Sequence, residues 1–394
     1  MSGNQSGMDG AGNMTKSSHD WDPMCPDVLR DQQAAYDAMR SRCPVAHSER
    51  LGWSLFRHED ITTVLADPET FSNVVSTRPS VPNGMDPPEH TVYRQALLPH
   101  LNSKQVESFE PVCRRLAADL VSGLPKGSEV DFVDSFALPF AALCQCAYLG
   151  WSDELAAPVR AWTRRNRQAV LAADRQELAA IASEFEAFVA RFLEERRRVG
   201  RAEADLSSEL MQTRVYGRRL TDAELTSILR NWTVGEVGSV AAALGILVSY
   251  LAGAPELGQQ LREKPVGIKA AIEEILRVSG PLVSNRRRAT KDVTLAGQCI
   301  RAGEIVSLMW ISANRDEAAF EQAACVHIER DQQANLLWGA GIHICPGAEL
   351  ARLELRVALE ALLAAFNSIK PGEASAEQLT YPENGWATLP LRLG

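Results

Sequence analysis

Apolar residues occupy nearly every helical face between positions 234 and 251, a pattern that only a buried helix can carry. Just upstream, Thr221-Asp222-Ala223-Glu224 has the spacing of a capping box. A helix of about thirty residues is therefore predicted to start there and to cross the middle of a large domain. A second buried helix follows Pro346, a residue well tolerated at a helix start, and carries Leu350, Leu353, Leu355, Val357, Leu359, Leu362, Leu363 and Phe366. Helical spacing also covers residues 26–42, 58–71 and, with breaks at SGLPKGSEVDF and LGWSDELAAP, 103–200. GWSLF and the segment PLVSNRRRATKDVTLAG alternate as strands do, while SNVVSTRPSVPNG has the composition of a long loop. The expectation is a mainly α-helical fold with small β-sheets over residues 21–394. Residues 1–20, rich in Gly, Ser and Asn, are expected to form a disordered tail, neither a signal peptide nor an anchor.

Composition narrows the function classes. A chain of 394 residues with a formal net charge of -9 argues against nucleic acid or an anionic membrane as the main partner. Its eight cysteines lack the repeated C-x-x-C spacing of a zinc site and suit a reduced cytoplasm. Cys144 and Cys146, inside the apolar ALPFAALCQCAYLG, are expected in the core.

Four groups of residues carry candidate chemistry. Gly339, Gly341 and Gly347 surround Cys345 in a loop that runs into a helix start, where amides and the helix dipole favour a thiolate. Such a cysteine is a nucleophile, a metal ligand or a buried structural residue. His90 and Arg94 fall four apart behind Pro87-Pro88, on one helix face that grips an anion or simply faces water. Glu274 and Arg277 form an i,i+3 pair, worth little if exposed. Glu236, with Gly235, Gly238 and Ser239, interrupts the apolar central helix, and a buried carboxylate needs a partner or a proton.

The string Gly339-x-Gly341-x-His343-x-Cys345-x-Gly347, continued by Leu350-Ala351-Arg352, resembles the haem-ligand signature of the cytochrome P-450 superfamily, with Trp338 where the family usually has phenylalanine. DPPEHTxxR resembles the family's propionate-holding segment, Arg287 with Ala289-Thr290 its R-x-A-T position, Glu274-x-x-Arg277 its buried structural pair, and ANRDEAAF the stretch after its strands. The resemblance implies a P-450 fold with haem b between the distal helix and the cysteine helix. Cys345 would be the axial iron ligand, beside Trp338 and Gly339; His90, Arg94, Arg287 and His343 would hold the propionates, and Glu274–Arg277 would close on the Arg330 region. In the distal motif A/G-G-x-D/E-T, aligning Gly235 with the second small residue puts Val237 at the acid position and Gly238 at the alcohol position. Glu236 comes one residue early and Ser239 one late: a displaced proton relay, with Gly238 leaving room for water, or two unrelated side chains. The substrate pocket is expected to include the loop 73–85, the distal helix from Val234 to Ala242 with Val237, the stretch from Leu282 and Val283 to Asn285, and the turn around Trp386.

By the same resemblance the chain would be a soluble, cytoplasmic, bacterial haem-thiolate monooxygenase, a monomer that binds neither nucleic acid nor membrane. It would insert one atom of O2 into a small, mostly apolar molecule, by hydroxylation or oxidative dealkylation. Electrons would pass from NAD(P)H through a separate ferredoxin reductase and ferredoxin. The loss of the usual acid–alcohol pair also permits a peroxide-driven peroxygenase or an isomerase within the same fold. A non-catalytic haem sensor is the reading from another class.

Overall fold

A computed structural model describes residues 21–199 and 205–394. The expected N-terminal tail lies outside the described residues. The central helix spans Asp222–Gly253, and its capping box forms as the sequence implies: the Thr221 hydroxyl accepts from the Glu224 amide at 3.3 Å, and the Glu224 carboxylate accepts from the Thr221 amide at 2.7 Å. By length and composition this helix could cross a membrane, yet 61% of its apolar window is buried inside the protein. It packs against the helices Leu138–Leu149, Arg175–Val199, Ile268–Val278 and Ala348–Ala365. Those neighbours explain why it needs no polar face: Val237, Leu244, Leu247 and Val248 are all sealed in one large helical core, where each such side chain contributes about 1.5–3 kcal/mol.

Beside this core lies a five-stranded sheet in the spatial order Val45–Ser48, Gly52–Leu55, Ile305–Met309, Ser284–Ala289, Phe71–Ser72. All its pairs are antiparallel except Ile305–Met309 with Gly52–Leu55. Register matters here, because pairing Arg287 with Val306 fixes which face of the sheet receives its guanidinium. Smaller sheets include the antiparallel trio of Ile369–Pro371, Pro390–Leu393 and Glu129–Asp131.

Three helix boundaries differ from the sequence reading, each for a local reason. The expected helix 26–42 is two, Pro26–Arg30 and Gln32–Arg42, because Asp31 leaves helical geometry (φ -150) and accepts from the Ala34 amide as an N-cap. The helix from His58 stops at Ala66, before Pro68, so Phe71 pairs into the sheet edge instead. The long helical stretch has an extra break at Ala173 (φ 52) between Ala156–Leu171 and Arg175–Val199. Cys144 and Cys146 are fully buried, as expected.

Candidate functional site

The loop from 338 to 347 is held tightly enough to place one sulfur. The Cys345 amide donates to the Trp338 carbonyl at 2.8 Å, and Gly341 takes φ +69 while lying against the helix His58–Ala66. A Cβ on Gly341 would come within 2.6 Å of the Leu65 carbonyl oxygen, so only glycine fits. Trp338 uses the polar edge that phenylalanine lacks: its Nε1 donates to the Glu273 carboxylate at 3.0 and 3.2 Å, and Arg352 lies over its ring at 4.9 Å. Gly347 then starts the cysteine helix, Ala348–Ala365, and its amide points at the Cys345 sulfur.

Cys345 faces a cavity of about 500 Å³ that is also lined by Trp338, Gly339, Arg94, Arg287 and His343. Burial pushes its thiol up; the Gly347 amide pulls it down, Glu236 pushes it up, and Arg94 and Arg352 pull it down by less. The Gly347 amide and the two arginines favour the thiolate against desolvation, and a cation on the sulfur would favour it further.

The opposite feature of the same cavity is an unmatched set of donors. His90 is 2% exposed and neither ring nitrogen has a partner; His343 Nε2 also has none. The two rings lie 4.2 Å apart between centroids, tilted by 50°. Arg287 is 7% exposed, and its only side-chain hydrogen bond among those described is from Nη1 to the Arg286 carbonyl at 2.9 Å. Arg94 reaches from the helix Glu89–Leu97 to donate to the Ile344 carbonyl at 2.5 Å. Burial pushes His343 down to about 3, helped by the charges of His90, Arg287 and Arg94, and pushes Arg287 down to about 10, with Asp86 opposing. Asp86 itself accepts from Ser72 and from the Asn73 amide. Buried donors and cations without an anion are unfavourable, so the cluster fits a ligand with two carboxylates. Among the described residues no three His, Cys, Asp or Glu side chains gather to hold a metal. A lone thiolate beside a dicarboxylate cradle fits an iron whose other ligands come from a macrocycle.

The central helix forms the far wall. Trp232, Gly235, Glu236, Ser239, Val240 and Ala243 line the cavity at the i, i+3, i+4, i+7 spacing of one helical face. The positions aligned with the family's acid and alcohol turn elsewhere: Val237 is fully buried in the core, and a Cβ on Gly238 would approach Thr163 and Glu383. Gly238 therefore does not open space for water on the cavity face, as the sequence reading expected. Of the expected pocket residues, Leu282 lines the cavity. Val234 does not and is 41% exposed; Val283 is sealed in the core with Trp21 and Tyr36; Trp386 packs on Gly245. The helix period and the sheet's alternation turn these side chains away. The loop 73–85 supplies Asn73, Arg78 and Asn83, with Asn231 beside them, so this wall is more polar than expected.

Glu274 and Arg277 are fully buried. The guanidinium meets Glu274 twice at 2.8 Å and the carbonyls of Asn314, Ala323 and Cys325, while Glu274 also accepts from the His327 amide, Arg330 and Gln332. One site residue escaped the sequence reading altogether. Glu354, on the cysteine helix, is fully buried, and neither oxygen has a partner. Its signal was a carboxylate inside an apolar run, the same signal that singled out Glu236.

Comparison with known proteins agrees with this geometry. Residues 268–392 match the Cytochrome P-450 family model. The mycinamicin IV hydroxylase/epoxidase of Micromonospora griseorubida is 32% identical over 358 residues, covering 86% of this chain and 88% of that protein. The nocardicin C N-oxygenase of Nocardia uniformis is 30% identical over 380 residues, covering 92% of each. The solved open form of EryK, a cytochrome P-450 from S. erythraea, superposes with a TM-score of 0.85 at 28% identity, covering 92% of this chain and 95% of that one.

Proposed function

The chain belongs to the cytochrome P-450 family, whose relatives named above are monooxygenases, and we propose that its cavity holds haem b between Cys345 and the central helix to oxygenate a small organic molecule. The observation that carries this is the pairing, on one cavity, of a lone cysteine with Arg94, Arg287 and His343, the last backed by the unpartnered ring of His90. Haem bound there supplies iron that activates O2, with the thiolate pushing electron density towards it. The protein's part is to hold and to protonate. Arg94, Arg287 and the two imidazoles fix the propionates; Trp338, anchored by Glu273, packs beside the sulfur. Glu236 and Ser239 face the cavity and deliver protons, Glu236 as the acid and Ser239 by orienting water.

The substrate meets apolar Trp232, Val240, Ala243 and Leu282 on one side and the amides of Asn73, Asn83 and Asn231 on another. The Asn73 Oδ1 is buried without a donor, so a substrate carrying a hydroxyl or N–H suits it better than a wholly apolar one. We place electron supply on a separate ferredoxin and reductase drawing on NAD(P)H, in the cytoplasm, with the enzyme as a monomer.

Reconstitution with ferredoxin, its reductase and NADPH under isotope-labelled dioxygen tests this reading, using molecules that convert the haem from low to high spin. One labelled oxygen per product is expected; turnover with hydrogen peroxide alone would replace O2-dependent monooxygenation with the peroxygenase reading. In the same assay Glu236→Gln should slow turnover by about 10²-fold and release more hydrogen peroxide per electron pair, with the haem spectrum unchanged. Unchanged coupling with a lowered melting temperature would make Glu236 a structural residue.

A further inference from the structure

The central helix and the cysteine helix each send one carboxyl group into the space between them. Glu236 is 9% exposed and Glu354 not at all. The two lie within hydrogen-bond reach of each other, yet Glu354 Oε1, Glu354 Oε2 and Glu236 Oε1 receive no hydrogen bond from any donor. An ionised carboxylate only accepts, so two of them facing each other in a dry core repel and leave their lone pairs unmet. One proton placed between them removes both faults.

Position decides which residue keeps it: Glu354 has no accessible surface, whereas Glu236 lines the cavity. Cys113 faces the pair from the helix Ser103–Ser122, Cys144 and Tyr148 from Leu138–Leu149, and Cys345 acts on Glu236 from its loop. Among the described residues no basic side chain acts on either carboxyl. Burial drives Glu354 well above the carboxylate range, while for Glu236 the hydrogen bond from Glu354 opposes the upward push of burial. Glu354 also has no exit of its own. Cys144 is directed at Cys113, 4.0 Å away, and the Tyr148 hydroxyl is committed to the His100 carbonyl at 2.7 Å. Of the two carboxyl residues, Glu236 lines the cavity and Glu354 does not.

We propose that Glu354 is the positioning residue for Glu236: a permanently neutral carboxylic acid that donates its hydrogen bond to the Glu236 carboxylate, so that Glu236 releases and recovers a proton at the cavity wall. In each cycle the O–H bond of Glu236 breaks as the acceptor in the cavity takes the proton, and the charge left on Glu236 is met by the Glu354 O–H. A proton from bulk solvent, carried through water in the cavity, then restores the Glu236 O–H bond. Glu354 begins and ends protonated, so no further reactant is needed. The proposal rests on the reading of Glu236 as the proton donor and extends it to the residue that makes its ionisation affordable in the core.

Infrared difference spectra of the purified holoenzyme test this without turnover. Glu354→Gln should remove a protonated-carboxyl stretch present at neutral pH. Glu354→Leu, which removes the donor, should move the ionisation midpoint of the Glu236 band up by about one to two pH units, the size expected for a hydrogen bond to a charged group. Glu354→Gln keeps an N–H donor and should bring that midpoint most of the way back. A protonated-carboxyl stretch that survives Glu354→Gln, or a midpoint that Glu354→Leu leaves in place, overturns the proposal. Should the leucine variant not fold, the loss or survival of the stretch in Glu354→Gln decides alone. A carbon monoxide spectrum of the parent lacking the thiolate-type band would instead overturn the haem reading, with the infrared result still standing by itself.

Discussion

Arg277→Ala is expected to destabilise the protein by about 3–5 kcal/mol, the usual cost of removing one partner from a buried ion pair. The argument rests on completeness. All five guanidinium N–H groups are engaged, two on Glu274 and three on the carbonyls of Asn314, Ala323 and Cys325, and the ring of Phe320 lies 4.7 Å away. Truncation takes the donors from those three carbonyls and two of the five hydrogen bonds from the fully buried Glu274 carboxylate, which keeps the His327 amide, Arg330 and Gln332. Because these carbonyls belong to the stretch leading into the cysteine loop, the damage should extend to haem incorporation. Arg277→Lys should recover little, since an ammonium cannot reproduce the planar fork. The denaturant midpoint measures this, and a midpoint equal to the parent's would show the pair to be dispensable.

The same pair sets a pH dependence. Burial pushes the Glu274 carboxyl up, but Arg277, Gln332, the His327 amide and Arg330 together hold it down to about 2, against an ordinary 4.5. A depressed carboxyl stabilises the fold fully above its unfolded value. That contribution should disappear as pH falls from about 4.5 towards about 2, and Glu274→Gln should flatten this acid limb.

The double variant Arg94→Ala/Arg287→Ala should hold haem roughly 10²- to 10⁴-fold less tightly, from about 1.5–3 kcal/mol per charge-assisted hydrogen bond lost. The two arginines come from different elements, the helix Glu89–Leu97 and the strand Ser284–Ala289, so their effects should be close to additive. Far-ultraviolet circular dichroism should stay native, because truncating Arg287 relieves a buried charge when no anion is bound. Transfer of haem to a competing apoprotein measures the effect. Retention equal to the parent's would move the propionates elsewhere.

How much of this could be read in the chain depended on whether the signal was local. Capping at Thr221 and Glu224, the glycine geometry around Cys345 and the burial of Cys144 are dictated within a few residues, and the structure has them where the pattern put them. Pocket membership is set by rotation about a helix axis and by sheet register, which one position in sequence changes by a large angle. Val237 and Gly238 therefore turned away, although they fill the family's alignment, while Glu236 and Ser239 faced the cavity. Glu354 was invisible for a different reason. Its meaning arises only when the cysteine helix, more than a hundred residues downstream, is packed against the central helix. For Cys345 the sequence showed the helix start and the Gly347 amide that favours a thiolate, but not the desolvation and the distant Glu236 that oppose it.

The central claim, that Cys345 is the thiolate ligand of a bound haem, is tested most directly by the absorption spectrum of the dithionite-reduced protein under carbon monoxide, for the parent and for Cys345→Ala and Cys345→His. The account predicts the long-wavelength Soret band of a thiolate-ligated haem in the parent and its loss in both variants, with the histidine variant showing the shorter-wavelength band of imidazole ligation. A long-wavelength band that persists in both variants, or is absent from a haem-replete parent, would contradict it.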